Sequence, residues 1–299
     1  MRAADVRLLS DIVRRWSMAL NVQSFIYPYE CQSWERGYCL AMREWYPQAR
    51  LTGCQHATMS AMWLSHFISS VEWGKVPFPD RVVTNGAYHY DLLQRNGVPE
   101  WVLACGGAIR YGALGEEAAG SRREPSDPSV VRVLVMMSIV MTQSAELLLG
   151  AVEAFADPRA FRVTVKFHPC FPARRVIAEA GAWTLPAHVA VVDAPVSELL
   201  RVADVLVYID STTAVEALAH GVPIVHFASD HELDTDPLAP FTDVRVSVGT
   251  PEELRKAVRE VIAPEYRAAR MRRWREVVDL LLPPPDEKTI DLFMPENVR

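Results

Sequence analysis

The stretch ADVLVYIDSTTAVEALAHGVPIVHF (203–227) decides the fold of this 299-residue chain. It begins with a short apolar run, continues through a polar turn into a helical pattern that ends near Gly221 and Pro223, and closes with a second apolar run. Continuous apolar runs are typical of parallel strands that are covered on both faces. The stretch therefore predicts a strand, a helix and a second strand of a parallel α/β sheet.

The same alternation of apolar runs and helical patterns extends along the chain. In the carboxyl-terminal half, strands are predicted at 131–137, 162–167, 188–192, 205–209 and 223–227, and helices near 142–155, 197–202, 213–220 and 251–262. In the amino-terminal half, strands are predicted at 23–27, 50–54, 81–84 and 101–105, and helices around 33–46, 58–72 and 87–96. This order predicts an α/β fold with parallel sheets in both halves.

One polar segment separates the two halves. GEEAAGSRREPSDPS (115–129) is rich in Gly, Ser, Pro and charge, which is typical of a linker. We predict domains at 1–120 and 130–285, and a carboxyl-terminal tail at 286–299 that packs back. The fold class is then α/β with two Rossmann-like lobes whose parallel sheets face a cleft. The amino-terminal lobe is short, because about four strands are few for a nucleotide-binding half.

Composition excludes several classes of protein. Hydrophobic residues make up 50% of the chain and charged residues 23%, values that are typical of a globular protein and unlike a disordered one. A net charge of −6 argues against broad nucleic-acid binding. The five cysteines form no CxxC pair, so neither a zinc site nor a disulfide framework is indicated, and a reducing cytoplasm is expected. We find neither a signal peptide nor an apolar run of the ~18 residues that a membrane span needs.

Two predicted strands of the second half end in polar residues. RVTVKF (162–167) is followed by His168, and VLVYI (205–209) is followed by Asp210, Ser211 and Thr212. Ligands bind at the carboxyl ends of strands in open parallel sheets. Hydroxyl groups and free backbone N–H groups at a helix start attract phosphate. The sequence therefore predicts an anion site, to which His168 and Lys166 add donors and positive charge.

A structural explanation of the same residues has to be weighed. Thr213 and Glu216 match the capping box T-x-x-E, which would employ both residues only to close a helix start. A single histidine is also more often structural than functional. Ser211 and Thr212 are not needed for such a cap, however, and their combination with His168 favours a functional site.

KFHP (166–169) together with 203–227 resembles the carboxyl-terminal half of GT-B glycosyltransferases, over roughly residues 130–250. The resemblance is nearest to bacterial sialyltransferases, Kdo transferases, and capsule or teichoic-acid polymerases that use CMP- or CDP-activated donors. It implies that His168, Ser211 and Thr212 hold the donor phosphate and that Glu216 meets the ribose. The complete predicted donor site comprises Ser138, Lys166, His168, Pro169, Asp210, Ser211, Thr212, Thr213 and Glu216.

The amino-terminal half places acids among aromatic residues in YPYECQSWE (27–35). The stretch 27–68 is similar to a pattern in bacterial surface-carbohydrate biosynthesis proteins. Glu30 follows a predicted strand and would lie on a loop at the strand's carboxyl end, which suits a catalytic acid or base. His56 ends another predicted strand of the sheet and would orient Glu30 or the acceptor hydroxyl. Glu35 is explained as an acid in the first turn of a helix.

Three further features receive structural explanations. Asp234, Thr235 and Asp236 spell the DxD of metal-dependent glycosyltransferases, and we interpret them as part of a solvated loop. The basic run RAARMRRWREVV (267–278) contains Trp274 and could touch an anionic membrane surface, although a solvated helix face explains it as well. The other histidines show no metal-binding spacing, so no metal is predicted.

The sequence thus predicts a metal-independent glycosyltransferase without a cofactor, which acts in bacterial surface-polysaccharide synthesis. Its donor would be a nucleotide sugar, most plausibly CMP-Kdo or a CMP-sialic-acid-like sugar, and its acceptor a carbohydrate or glycolipid. The catalytic residues would be Glu30, His56 and His168. We expect a cytoplasmic protein that makes no contact with nucleic acid and has a possible peripheral contact with the inner membrane. Two alternatives stay open: a CDP-glycerol or UDP-sugar transferase on the same fold, and a non-catalytic nucleotide-binding module.

Overall fold

The computed structural model describes residues 3–120, 129–181, 184–229 and 233–294. The chain divides into two compact units, of which the first contains Met1–Met59, Trp63–Gly112 and Leu280–Arg299. The second contains Ser60–Met62 and Ala113–Asp279. The predicted linker begins as a helix over Leu114–Gly120, and its residues 121–128 lie outside the described ranges. The predicted domain borders therefore stay a prediction.

The first unit is built on a four-stranded parallel sheet with the order β1-β2-β3-β4. Its strands are β1 (Ser24–Tyr29), β2 (Arg50–Gln55), β3 (Arg81–Asn85) and β4 (Leu103–Gly106), and its helices are α1 (Ala3–Ser17), α2 (Ser33–Trp45) and α3 (Gly86–Arg95). Met42, Leu51, Val82 and Leu93 are completely buried in its core. Apolar side chains from both the helices and the sheet thus close this core.

The second unit contains a six-stranded parallel sheet with the order β10-β9-β8-β5-β6-β7. The strands are β5 (Val131–Met136), β6 (Phe161–Lys166), β7 (Val189–Val191), β8 (Val205–Tyr208), β9 (Ile224–Phe227) and β10 (Val246–Val248). The helices are α4 (Leu114–Gly120), α5 (Met141–Ala154), α6 (Ala173–Glu179), α7 (Val196–Val202), α8 (Thr213–Ala219), α9 (Pro251–Val261) and α10 (Pro264–Leu281). This is the doubly wound Rossmann order, whose direction of winding reverses between β5 and β8.

The central strand β8 explains why the sequence signal was clear. Val205, Leu206, Val207 and Tyr208 are all completely buried, so the strand is covered on both faces. A strand in this position needs apolar residues at successive positions rather than at alternate ones. The two parallel sheets of four and six strands, with the smaller sheet first, confirm the predicted α/β fold class.

The end of the chain completes the first unit. The carbonyl group of Pro283 accepts a hydrogen bond from the backbone N–H of Ala108 at 2.7 Å. In the short helix α11 (Glu287–Asp291), the Thr289 hydroxyl accepts a bond from the backbone N–H of Gly107 at 2.9 Å. A Cβ atom on Gly107 would lie 2.5 Å from the Cα of Pro285, so the two segments are in direct contact. Of the predicted tail, 295–299 lie outside the described residues.

The predicted helix at 58–72 is wrong. This segment instead contains two single turns of 3₁₀ helix, Leu64–His66 and Ser70–Glu72, joined by extended residues. The side chains of Ser60 and Ser69 accept backbone N–H bonds two residues ahead, which supports local turns in place of a continuous helix. Ile68 is buried, whereas Leu64 and Val71 are exposed, so the apolar pattern does not form one buried helix face.

The basic run at 267–278 contains buried as well as solvated residues, and its contact with a membrane surface stays a prediction. It belongs to α10, in which Trp274 is completely buried and packs 6.5 Å from the ring of Tyr266. The indole ring is therefore part of the core and cannot reach a lipid surface. Within the described ranges, no helix is long and apolar enough to cross a membrane.

Gly97 holds a backbone position that other residues strain. Its φ angle is +93°, and a Cβ atom there would lie 2.1 Å from the carbonyl oxygen of Ile68. We expect Gly97→Ala to lower the free energy of unfolding by more than about 1 kcal/mol, measured by urea denaturation. Gly74→Ala is the matched control, because Gly74 has a φ of +75° but no neighbour within 4 Å. An equal loss in the two variants would contradict the steric argument.

Candidate functional site

The strand register brings three predicted donor-site residues to one level. Met136 at the end of β5 pairs with Lys166 of β6 and with Tyr208 of β8. Ser138, His168 and Asp210 each follow two residues later, at the carboxyl ends of three neighbouring strands. Neighbouring strands lie about 4.8 Å apart, so β6 and β8 are separated by about 10 Å. The level coincides with the point where the sheet order reverses, which is where open α/β sheets bind ligands.

His168 presents a defined nitrogen to its surroundings. Its imidazole is half-buried, and Nδ1 accepts a hydrogen bond from the backbone N–H of Cys170 at 3.2 Å. Because Nδ1 is the acceptor, Nε2 carries the proton of the neutral ring. Burial lowers the pKa of His168, so the ring is neutral near pH 7. His168 is therefore suited to donate a hydrogen bond through Nε2.

The start of α8 differs from the prediction. The N-cap residue is Thr212, whose side chain makes no capping bond, and Thr213 is already the first helical residue. The predicted capping box of Thr213 and Glu216 is therefore wrong, since the third helical position is Val215. Glu216 is half-buried, one turn into the helix, and its contact with a ribose stays a prediction.

The predicted free N–H groups at this helix start are largely used by the chain itself. The N–H of Thr213 donates to Ser211 Oγ at 3.2 Å, and that of Ala214 to the Ser211 carbonyl at 3.1 Å. Val215 donates in the same way to the Thr212 carbonyl at 2.9 Å. The Ser211 hydroxyl acts as an acceptor, which leaves its own proton for a ligand. Side-chain hydroxyls are therefore the donors that this turn offers.

The other predicted donor-site residues have partners of their own. Lys166 Nζ lies 3.0 Å from Asp193 Oδ1, and Asp210 Oδ2 accepts a bond from the Thr235 hydroxyl at 2.6 Å. The Ser138 hydroxyl donates to Gln143 Oε1 at 2.6 Å and accepts from a backbone N–H at 3.0 Å, and Ser138 is only 1% exposed. Pro169 is exposed in the turn after β6. Roles of these residues in donor binding stay predictions.

The prediction of a solvated loop at 234–236 is wrong for Asp236, although Asp234 is exposed. Asp236 is 1% exposed and accepts hydrogen bonds from the Tyr208 hydroxyl at 2.8 Å and from the Leu238 N–H at 3.1 Å. The guanidinium group of Arg245 forms ion pairs with both Asp234 and Asp236. Burial raises the pKa of Asp236 to about 7, and Arg245 opposes that rise. The motif is thus part of a buried polar network.

His226 joins this network from strand β9. One ring nitrogen of His226 and one carboxylate oxygen each of Asp234 and Asp236 lie within 4.8 Å of one another. The Nδ1 atom of His226 contacts the Ser247 hydroxyl at 2.8 Å. Three such groups could hold a metal ion. Arg245 already pairs with both carboxylates, and its single positive charge offsets one of the two negative charges.

A small cavity of about 50 Å³ lies beside the network, at the carboxyl ends of β8 and β9. Its lining residues are Gln143, Ile209, His226, Ala228, Ser229, Leu233, Asp234 and Thr235. One water molecule occupies about 30 Å³ in the liquid, so the cavity has room for one or two.

In the first unit, too, neighbouring strands end at paired positions, so the residues that follow them lie side by side. Tyr29 pairs with Gln55, so Glu30 and His56 each follow at the next level of β1 and β2. Glu30 Oε1 lies 3.1 Å from His56 Nε2, and both side chains are partly exposed. Burial lowers the pKa of His56, whereas Glu30 raises it and Arg110 lowers it. The predicted contact between the acid and the histidine is present.

Glu35 is buried, which the sequence did not indicate. It is 2% exposed, and its Oε1 accepts hydrogen bonds from the backbone N–H groups of Glu30 at 2.8 Å and Gln32 at 3.1 Å. It forms a capping box with Gln32 at the start of α2. Burial raises the pKa of Glu35 to about 7 against these backbone donors. The predicted helix-start role is therefore present, but in a buried setting.

Two buried polar residues of the first unit, Gln55 and His89, were not predicted for the site. Gln55 is 1% exposed and ties two loops together, since its Oε1 accepts from the Asn85 N–H at 2.8 Å and its Nε2 donates to the Ala57 carbonyl at 2.7 Å. His89 is completely buried, with Nε2 accepting from the Met59 N–H at 3.3 Å and Nδ1 contacting the Asn85 carbonyl at 2.9 Å. A signal for Gln55 existed in the Gln-His pair at a strand end.

Solved structures share this fold across most of the chain. The glycotransferase of kitacinnamycin is 17% identical, with a TM-score of 0.60 over 96% of this chain and 79% of that one. The UDP-GlcNAc 2-epimerase of Methanocaldococcus jannaschii, in complex with UDP-GlcNAc and UDP, is 13% identical, with a TM-score of 0.61 over 91% and 80%. The calicheamicin glycosyltransferase CalG4 is 18% identical, with a TM-score of 0.56 over 98% and 80%.

These likenesses establish a GT-B-like fold with two parallel α/β sheets. No protein-family model and no curated protein matches the chain. At such identities the fold is shared, and the activity has to be argued from the residues.

Proposed function

We propose that this protein is a glycosyltransferase that transfers a sugar from a nucleotide-activated donor to a carbohydrate acceptor. One observation carries the proposal: Ser138, His168 and Asp210 stand at one level on neighbouring strands, where the winding of the six-stranded sheet reverses. This is the position in which doubly wound sheets bind nucleotides.

The donor phosphate would be held by neutral and positive donors from separate strand ends. His168 Nε2–H and the hydroxyl groups of Ser211 and Thr212 would donate hydrogen bonds to the phosphate. Lys166 adds positive charge, although Asp193 shares it. As the sugar–phosphate bond breaks, negative charge grows on the leaving phosphate, and fixed donors stabilise that charge without a metal ion. Glu216, one turn along α8, would contact the ribose.

The acceptor would be activated by the pair in the first unit. Glu30 Oε1 contacts His56 Nε2 at 3.1 Å, and the second carboxylate oxygen would accept the proton of the acceptor hydroxyl. The imidazole of His56 is neutral because burial lowers its pKa, so it serves as a hydrogen-bond donor that orients the carboxylate. Acceptor oxygen and sugar carbon then form the new glycosidic bond.

Three kinds of donor are considered. The motif resemblance implies a CMP-linked acidic sugar of the Kdo or sialic-acid kind, with CDP-glycerol as a related possibility. The similar epimerase structure contains UDP and UDP-GlcNAc, which favours a UDP-sugar. Acceptors in bacterial surface-polysaccharide synthesis follow from the same resemblance.

A nucleotide panel tests the donor site. We expect one of CMP, CDP, UDP and GDP to raise the melting temperature most, because a ligand that binds only the folded state stabilises it by about 2.7 kcal/mol at 100 times its Kd. The variant Ser211→Ala with Thr212→Val should remove most of that rise, since both hydroxyl donors are lost. Glu30→Gln is the matched control and should retain it. Equal shifts with all four nucleotides, or none, would contradict a nucleotide site.

A second candidate function is sugar epimerisation. It is favoured by the structural likeness to UDP-GlcNAc 2-epimerases and by an acid–histidine pair that could move a proton at carbon as well as at oxygen. Incubation with UDP-GlcNAc alone separates the two functions. Epimerised nucleotide sugar would support the second candidate, whereas acceptor-dependent release of nucleotide supports transfer.

A further inference from the structure

We propose that Glu35 is the positioning residue of the Glu30–His56 pair, and that its buried carboxylate holds the turn at 30–32 in the shape that presents Glu30 to His56. The catalytic consequence rests on the proposed function, but the positioning itself does not. The geometry of the turn carries this inference.

The turn is held at both ends by one oxygen atom. Oε1 of Glu35 accepts the N–H of Glu30 at 2.8 Å and the N–H of Gln32 at 3.1 Å. These two N–H groups flank Cys31, so a single acceptor fixes the chain before and after this residue. The direction of the Glu30 side chain is set by the same backbone.

The turn would not keep this shape without support. Cys31 has a φ angle of +55°, in the left-handed region that residues other than glycine seldom occupy. A conformation of this kind costs about 1–3 kcal/mol and persists only where the surroundings hold it. The Cys31 thiol also donates to the Tyr29 hydroxyl at 2.7 Å, which anchors the side chain on the strand side. Glu35 supplies the backbone anchor on the helix side.

The setting of Glu35 differs from that of an ordinary capping acid. Glu253 occupies the equivalent position in α9, where it accepts N–H bonds from Gly249 and Thr250 at an exposed site. Glu35 makes the same kind of contacts while 2% exposed, beside Tyr27, Cys31 and Cys39. A solvated cap frays easily, whereas a buried one holds the preceding turn in one position.

The test measures the pKa of His56 by NMR, after assignment of its ring signal with His56→Gln. Glu30 raises that pKa, and Arg110 lowers it. We expect Glu30→Gln to lower the pKa of His56 by about 1, as for the loss of a neighbouring opposite charge. Glu35→Ala should cause at least half of that fall, and should add nothing in the Glu30→Gln background.

Two conservative variants separate positioning from charge. Glu35→Gln keeps an acceptor oxygen in place and removes the charge, whereas Glu35→Asp keeps the charge and withdraws the oxygen by one methylene group. Positioning predicts that Glu35→Asp lowers the pKa of His56 more than Glu35→Gln does. The opposite order, or a His56 pKa that only Glu30→Gln changes, would overturn the inference. Both variants are informative even if Glu35→Ala does not fold.

Glu72→Ala is the matched control. Glu72 fills the same capping position in the turn at Ser70–Glu72 and accepts the Ser69 N–H at 2.8 Å, but it does not contact the pair. Its removal should leave the His56 pKa unchanged.

In the transfer reaction, Glu35→Asp should lower kcat by a larger factor than it changes the KM for the donor. Absence of transfer in the unaltered protein would count against the proposed function alone, because the titration of His56 still decides the positioning.

Discussion

Glu30→Gln should lower kcat for acceptor-dependent release of nucleotide by a factor of about 10²–10⁴, the range that a positioned general base contributes. The substitution retains the shape of the side chain and a hydrogen-bond acceptor for His56, and it removes the group that takes the proton. Binding of the nucleotide donor should be unaffected, because the predicted donor residues belong to the second unit. Initial rates at saturating donor and acceptor provide the measurement.

Glu44→Gln is the control for loss of a negative charge in the same unit. Glu44 lies in α2 and accepts a hydrogen bond from the Ser10 hydroxyl at 2.7 Å, at an exposed position. We expect no change in kcat for this variant. If Glu30→Gln turned over as fast as the unaltered protein, Glu30 would not be the base, and the acceptor would be activated elsewhere.

The second large effect concerns stability. Asp236→Ala should lower the free energy of unfolding by about 3–5 kcal/mol, because it removes one partner of a buried ion pair. The Tyr208 hydroxyl and the Leu238 N–H would also lose their acceptor, and Tyr208 is completely buried. Urea denaturation of the two proteins, at one pH and one ionic strength, measures the difference.

Asp234→Ala offers a control with the same charge change and the same partner. Arg245 also pairs with Asp234, whose side chain is 41% exposed. The Arg245 side chain is itself buried, but it retains Asp236 as a partner, so this variant should lose clearly less than Asp236→Ala does. If the two variants lost similar amounts of unfolding free energy, burial of Asp236 would not explain the strength of its contacts.

Much of the second unit could be predicted from sequence because its signals are local. The apolar run of β8, the Gly-Val-Pro signal after α8 and the run of β9 fix those elements to within one or two residues. The 58–72 segment failed for the opposite reason. Its apolar residues mimic a helical period, yet the segment forms separate turns in which Leu64 and Val71 are exposed, and only the tertiary structure shows this.

The residues of the candidate site also fall into two groups, those that the sequence indicates and those that it does not. Glu30 and His56 could be predicted because each follows a strand of one parallel sheet, and strand ends are readable from sequence. Burial of Glu35 could not, since an acid in the first turn of a helix is usually solvated. The contact of Asp236 with Arg245 was also hidden, because it joins two loops whose separation depends on the strand β9 and its neighbour β10.

The return of the chain end to the first unit has a consequence for biosynthesis. The N–H groups of Gly107 and Ala108 are bonded to Thr289 and Pro283, which are translated some 175 to 182 residues later. Most of the second unit is one continuous stretch, Ala113–Asp279, which leaves the ribosome before those partners do. Domains usually fold as units during synthesis, the amino-terminal one first. Here the first unit cannot form these contacts until residues 283–289 have been synthesised, so the stretch Ala113–Asp279 is able to finish folding ahead of it.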